Sequence, residues 1–316
     1  MSDLPAFVRI SEEGPREGFQ FETSVIPTAR KIELIDALSQ TGLDHIQIVS
    51  FVNPKLVPGM ADADDVVKGI TPLTGVACTA LWLNEKGFER ALTHDNRLAL
   101  AGSVQLCTSE KFLKRNQNRT IEQQLAAQHT IVEMYKAHGV PVERGSLMAA
   151  FGCNFAGDIP VERVVSLVGQ ILDVASAHGV TLHYVSLADT MAWATPLSIK
   201  RVIGSLRDRW PDLDIALHLH DTRGMAIANA YAGLEMGVTR FDASVAGLGG
   251  CPFAGHQGAA GNVCTEDLVF MCHEMGIETG LDLDALIECA RLAEDVVGHP
   301  LPGSVMKGGT LAKYRA

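Results

Sequence analysis

No stretch of this 316-residue chain approaches 18 uninterrupted apolar residues, the length at which a hydrophobic run reads as a membrane-spanning helix. The first residues, MSDLPAFVRISEEGPREG, lack a basic flank followed by an apolar core. No secretory signal is therefore expected, and the cytoplasm is the expected address. Basic residues are in deficit, with Lys+Arg 26 against Asp+Glu 37 and a net charge of −11. Such a surface repels polyanions, which argues against nucleic acid as the main partner and leaves room for a small anion held by local Arg and Lys. The seven cysteines (Cys78, Cys107, Cys153, Cys251, Cys264, Cys272 and Cys289) are odd in number, scattered and free of any CxxC pair. Neither a disulfide framework nor a structural zinc site fits that pattern, so reduced thiols are expected. No Pro/Gly/Ser-rich linker interrupts the chain, and one domain over residues 1–316 is expected, with about 265–316 as additional helices and tail.

What is present is a regular alternation. With 47% hydrophobic and 20% charged residues, the chain belongs among globular rather than disordered sequences. Eight apolar or β-branched runs read as strands: Phe7–Ser11, His45–Phe51, Gly75–Leu83, Leu98–Cys107, Gly145–Phe151, Leu182–Leu187, Asp214–His220 and Arg240–Val245. Helical patterns lie between them, at Pro27–Thr41, Ile121–His138, Val161–His178, Pro196–Arg209 and Met225–Met236. Three of these end in HGV or MGV, where the Gly suits a helix C-cap. Eight strand–helix units predict an α/β fold, the (β/α)8 TIM barrel, with the Thr265–Val297 helices packed outside it. An open doubly wound sheet is the runner-up, weakened because EEGPREG after the first run is no GxGxxG loop.

In such a barrel the chemistry sits on the loops after the strand C-termini. After the first run, Gly14-Pro15-Arg16-Glu17 reads as a turn that presents a guanidinium for an anionic oxygen and a carboxylate for a metal, or as a plain exposed charged turn. At the end of the seventh run, alternation puts His218 and His220 on one side of the strand and Leu217 and Leu219 on the other. Two imidazoles on one face can clamp a divalent ion, and the absence of Cys at ligand spacing favours Mg, Mn or Co over structural zinc. The glycine-rich stretch 247–262 suits a lid bearing Cys251, or a flexible connector with Asn262 capping a helix. After the second run, a proline-stiffened loop presents Lys55 to a phosphate, or leaves it solvated. Ser186–Thr190 after the sixth run is equally readable as a helix N-cap.

The segments GPREGFQFE, SFVNPKLVPGMAD, FGCNFAGDIP, LADT, HLHDTRGMAIAN and GLGGCPFAGHQGAAGNVCTEDLV, in this order, resemble the landmarks of the 3-hydroxy-3-methylglutaryl-CoA (HMG-CoA) lyase family. The match runs from about residue 8 to 275. The resemblance implies that Arg16 stabilises a thioester enolate and that Glu17, His218, His220 and Asn262 hold a divalent cation, Mg or Mn. It implies His218 as the base and Cys251 as a lid cysteine, with Gln20, Gln47, Ser50, Lys55 and Thr190 as candidate substrate-binding residues. The partner it implies is an acyl-CoA, and a homo-oligomer is expected.

Retro-Claisen cleavage of a 3-hydroxyacyl-CoA explains these residue types, because a hydroxyl proton must leave and an enolate must be stabilised. This chain departs from the family at four places: Glu17 stands for an aspartate, Gln47 for a glutamate, Ala188 for the glycine of a GDT motif, and the Cys251–Asn262 lid is two residues longer. HMG-CoA, giving acetyl-CoA and acetoacetate, is the leading substrate, and citramalyl-CoA, giving acetyl-CoA and pyruvate, the second. The rival from another class is a catalytically silent CoA- or metal-binding relative, with Glu17 and Gln47 as its lesions.

Overall fold

The computed structural model describes residues 4–22, 24–249 and 261–315. The Cys251 and Gly255–Gln257 readings lie outside the described residues.

The first strands and helices are β1 (Arg9–Glu12), α1 (Gly14–Phe21), α2 (Thr28–Leu38), β2 (His45–Ser50), α3 (Ala63–Gly69), β3 (Ala77–Leu81) and α4 (Glu85–Leu92). There follow β4 (Gly102–Cys107), α5 (Glu110–Gln117), α6 (Ile121–Ala137), β5 (Val142–Met148), α7 (Val161–Ala177), β6 (Tyr184–Asp189), α8 (Pro196–Arg209), β7 (Ile215–Leu219) and α9 (Ala226–Glu235). The chain closes with β8 (Arg240–Ala243), α10 (Thr265–Glu274), α11 (Leu283–Val297) and α12 (Val305–Gly308). All eight expected strands are present. The strand order is β3-β2-β1-β8-β7-β6-β5-β4. The last strand lies beside the first, and the Glu13 N–H donates to the Ala243 carbonyl at 2.8 Å. That neighbourhood belongs to a (β/α)8 chain and not to an open doubly wound sheet. Strand β7, IALHL, is buried at all five positions, as a parallel strand covered on both faces should be.

Local chemistry sets the helix ends. Thr120 and Gln123 form a reciprocal capping box at α6, Thr195 and Ser198 form one at α8, and the Asp282 carboxylate accepts from Ala285 N–H at α11. The glycines expected after α6, α7 and α9 (Gly139, Gly179 and Gly237) all take left-handed φ near +70°. Three expectations shift. Leu98 N–H closes a turn onto the His94 carbonyl, so β4 starts only at Gly102. Strand β5 starts earlier than expected, at Val142, because Glu143 and Arg144 masked its onset. Gly14-Pro15 opens a helix rather than a turn, since a proline at the first helical positions gives up an N–H that would be unpaired anyway.

The chain forms two compact units, one of residues 4–5 and 100–241 and one of residues 6–22, 24–99, 242–249 and 261–315 among those described. The first holds β4 to β7 and α5 to α9 around a core that includes Leu147, Ile171, Leu187 and Leu217, all fully buried. The second holds β1 to β3, with α1 seated by Phe19 (1% exposed). Lys31 Nζ lies 5.8 Å from the Phe19 ring centre and binds Gly59 O and Asp62 Oδ1 at 2.7 and 2.6 Å. Phe19→Ala should cost about 3–5 kcal/mol of stability by emptying that site. Chemical denaturation measures it, and a loss below about 1 kcal/mol would show that α1 is seated by something else. No helix among the described residues is long and apolar enough to cross a membrane.

Candidate functional site

In the unit containing α1, the helix turns Glu13, Arg16 and Glu17 into one buried cluster. Arg16 is 7% exposed and spends three different nitrogens on three partners. Nε donates to Gln47 Oε1, Nη2 to Glu13 Oε2, and Nη1 to Glu17 Oε1 at 2.6 Å. Burial pulls the guanidinium's pKa down, but the charges of Glu17 and Glu13 and the hydrogen bonds to both outweigh it and hold the pKa above its ordinary value. Asn262, 1% exposed, donates from Nδ2 to Glu17 Oε2 at 2.7 Å. Its Oδ1 is buried without a hydrogen-bond partner among the described residues. Such an orphaned acceptor carries an unmet desolvation cost, and it sits beside a carboxylate. Hard cations take oxygen ligands of this kind. Gly249 has φ +101°, and a Cβ there would meet Glu17 Cβ at 2.7 Å, so only glycine lets the chain pass this close to Glu17.

Ser50 Oγ donates to Gln20 Oε1 at 3.1 Å, which joins two of the candidate substrate residues. Lys55 is exposed on the loop after β2, where its N–H donates to Asn53 Oδ1 at 3.0 Å. Asn262 is not a helix cap: Cys264 occupies the N-cap of α10. Glu13 carried no role in the sequence. Its signal was the three-residue spacing to Arg16, which places two residues on one face only if the segment is helical.

In the other unit, His218 and His220 are both buried, and their Nε2 atoms lie 3.3 Å apart. The expected same-side placement is present. His220 Nδ1 lies 2.8 Å from the Thr190 carbonyl oxygen. A carbonyl only accepts, so Nδ1 carries a proton, and Nε2 is the ring nitrogen that this contact leaves to ligate a metal. Thr190 is itself fixed, because its Oγ1 accepts from Ala149 N–H at 2.9 Å. Asp189 accepts from Trp193 N–H at 2.7 Å and from Ala194 N–H at 3.1 Å, and it thereby shapes the loop that presents Thr190. Burial pushes its carboxyl up to about 6. One unit thus holds a carboxylate beside an amide oxygen, Glu17 and Asn262, and the other holds two adjacent imidazoles.

Burial also pushes Glu12 and Glu266 up to about 7. A carboxyl raised above its unfolded value binds more protons folded than unfolded, so the stability it contributes falls as pH rises through the interval between the two values. For these groups that interval runs from about 4.5 to about 7. Melting temperature should therefore drop across it in the native chain, and Glu266→Gln should drop less steeply. Parallel curves would contradict the assignment.

The family model described as HMGL-like matches residues 7–293. Hydroxymethylglutaryl-CoA lyase, mitochondrial, of Gallus gallus is 42% identical over 285 residues, 90% of this chain and 92% of that protein. Hydroxymethylglutaryl-CoA lyase YngG of Bacillus subtilis is 39% identical over 298 residues, 94% of this chain and 96% of that protein. The crystal structure of the Bacillus subtilis HMG-CoA lyase superposes with a TM-score of 0.89 at 37% identity, covering 97% of this chain and 99% of that one. An Acinetobacter baumannii HMG-CoA lyase in complex with coenzyme A and 3-methylmalate superposes with a TM-score of 0.87 at 37% identity, covering 99% and 98%.

Proposed function

This chain belongs to the HMGL-like family and is a carbon–carbon lyase, and from that premise we propose that it splits HMG-CoA into acetyl-CoA and acetoacetate with a divalent cation, Mg²⁺ or Mn²⁺. The two units act in this reading as one catalytic domain. Glu17, His218, His220 and Asn262 would hold the cation, and Asn262 Oδ1, buried and without a hydrogen-bond partner among the described residues, is the observation that carries the assignment. When bound, the cation acidifies the C3 hydroxyl of the substrate and orients its carboxylate.

The rest of the chemistry falls to the chain's own groups. Arg16 keeps a permanent positive charge in a dry site and faces the thioester oxygen as it becomes an enolate, where a preset donor gains strength as charge develops. His218, as the base, takes the hydroxyl proton. Thr190 keeps His220 in the ligating tautomer through its carbonyl. Ser50 and Gln20 line the approach of the acyl group, Lys55 serves the CoA phosphates, and the Cys251 thiol returns a proton to the enolate. Incubation with Mn²⁺ or Mg²⁺ and HMG-CoA, reading acetyl-CoA and acetoacetate, tests the proposal. Release of neither product would sink it.

Citramalyl-CoA, giving acetyl-CoA and pyruvate, is the second reading. Two observations favour it. Gln47 meets Arg16 as a neutral amide, and Glu17 reaches across to both Arg16 and Asn262, so a longer ligating arm takes room from the acyl group. The Acinetobacter baumannii relative was captured with 3-methylmalate, an acid whose main chain, that of malate, is one carbon shorter than that of glutarate. Discrimination of one methylene is worth about 10–200-fold. Glu17→Asp combined with Gln47→Glu should shift the kcat/KM ratio towards HMG-CoA by a factor in that range. A native preference for HMG-CoA above about 200-fold would instead make these departures neutral.

A further inference from the structure

The segment Val245–Gly247, a single 3-10 turn after β8, contains a residue in an unfavourable conformation. Ala246 has φ +56° and ψ +12°, a left-handed geometry that crowds the Cβ of any L-residue against the backbone. Such strain persists only where the surroundings over-determine it. Here two consecutive amides are each taken by a buried carboxylate from a different element. Val245 N–H donates to Glu12 Oε1 at 2.9 Å, and Ala246 N–H donates to Glu266 Oε2 at 3.0 Å. Both carboxylates are fully buried.

Glu12 does more than hold one amide. Its Oε1 also accepts Gly14 N–H at 2.7 Å, at the start of α1, and its Oε2 accepts Thr265 Oγ1 at 2.6 Å, at the start of α10. One side chain thus ties together the helix that carries Arg16 and Glu17, the strained turn, and the helix that follows Asn262. The turn passes its placement on through the backbone. Gly261 N–H donates to the Gly247 carbonyl at 3.2 Å and Asn262 N–H to the Leu248 carbonyl at 3.5 Å. Asn262 then meets Glu17 at 2.7 Å.

We infer that Glu12 and Glu266 are positioning residues, a pair of carboxylates that clamp the Val245–Ala246 turn in its strained form and so set Asn262 against Glu17. Burying two carboxylates close together is costly: burial, and for Glu12 also the charge of Glu266, raises their pKa values. Apolar residues would fill the space with less penalty, so their retention needs a reason. The amides at 245 and 246 supply one.

The inference rests on the metal reading for its functional consequence and on backbone geometry for its structural one, and the test separates the two. Amide hydrogen exchange over residues 244–249 reads the clamp directly, and the dissociation constant for Mn²⁺ alone, from electron paramagnetic resonance of the free ion, reads its effect on the site. Glu266→Ala, confirmed folded by circular dichroism, should lose protection at Ala246 and bind Mn²⁺ about 10–100-fold more weakly, as changes behind metal ligands typically do. Glu266→Gln, which keeps an acceptor oxygen, should retain both. Glycine takes left-handed φ without penalty, so adding Ala246→Gly to Glu266→Ala should restore most of the lost Mn²⁺ affinity. Glu12→Ala should mirror Glu266→Ala at Val245, and if it fails to fold the Glu266 series decides alone. Unchanged exchange at 245 and 246 in folded alanine variants overturns the clamp, as does failure of Ala246→Gly to rescue. A native chain that binds no Mn²⁺ refutes the metal reading, while the exchange data still judge the clamp.

Discussion

Arg16→Gln should leave a folded protein whose kcat is about 10²–10³ lower, with little change in KM. The size follows from the role: removing one preset donor from a developing oxyanion costs about 2.7–4 kcal/mol of transition-state stabilisation. The partition follows too, because an interaction made mainly in the transition state appears in kcat. Arg16→Lys should fare nearly as badly although it keeps the charge. Three nitrogens of a planar guanidinium serve Gln47, Glu13 and Glu17 at once, and a single ammonium cannot reproduce that fork. Both variants also leave Glu13 and Glu17 less well paired in a dry site, so some loss of stability accompanies the loss of rate. Single-substrate kinetics with a parallel melting curve separates the two effects. A variant with native kcat would reduce Arg16 to a structural charge.

Removing the cation should be as severe. Exhaustive chelation is expected to abolish acetyl-CoA release, with recovery on adding Mn²⁺. His220→Ala removes one imidazole and should weaken Mn²⁺ binding by about 10–100-fold or more. A thermal readout follows by mass action. A ligand at 100 times its dissociation constant stabilises the folded state by about 2.7 kcal/mol. Saturating Mn²⁺ should therefore raise the native melting temperature and move that of His220→Ala much less at the same concentration. Full activity after chelation would exclude the metal reading outright.

The residues that carry these predictions differ in how they could be found. His218 and His220 were legible as a pair because strand alternation is a two-residue rule that needs no partner strand. Arg16 and Glu17 are legible by resemblance, but their segment reads locally as a turn, which hides the helical spacing that brings Glu13 to Arg16. Pro15 was the available clue, since proline opens helices as readily as it makes turns. The orientation of the His220 ring is not legible in the sequence, because it depends on a carbonyl from the loop after β6.

Sequence alone determined the alternation of eight strands with helices, the glycine stops after α6, α7 and α9, and the order of the hard donors along the chain. These are local properties: the period of apolar residues reports which face leaves water, and a C-cap glycine reports one backbone angle. Tertiary structure decided the rest. Glu12 and Thr265 meet across 253 residues, and Glu12 and Glu266 take amides of one strained turn. Among the described residues, Asn262 keeps a buried oxygen without a hydrogen-bond partner. No spacing rule announces such contacts, because a buried polar atom is partnered by whichever groups three-dimensional packing brings within reach once water is excluded.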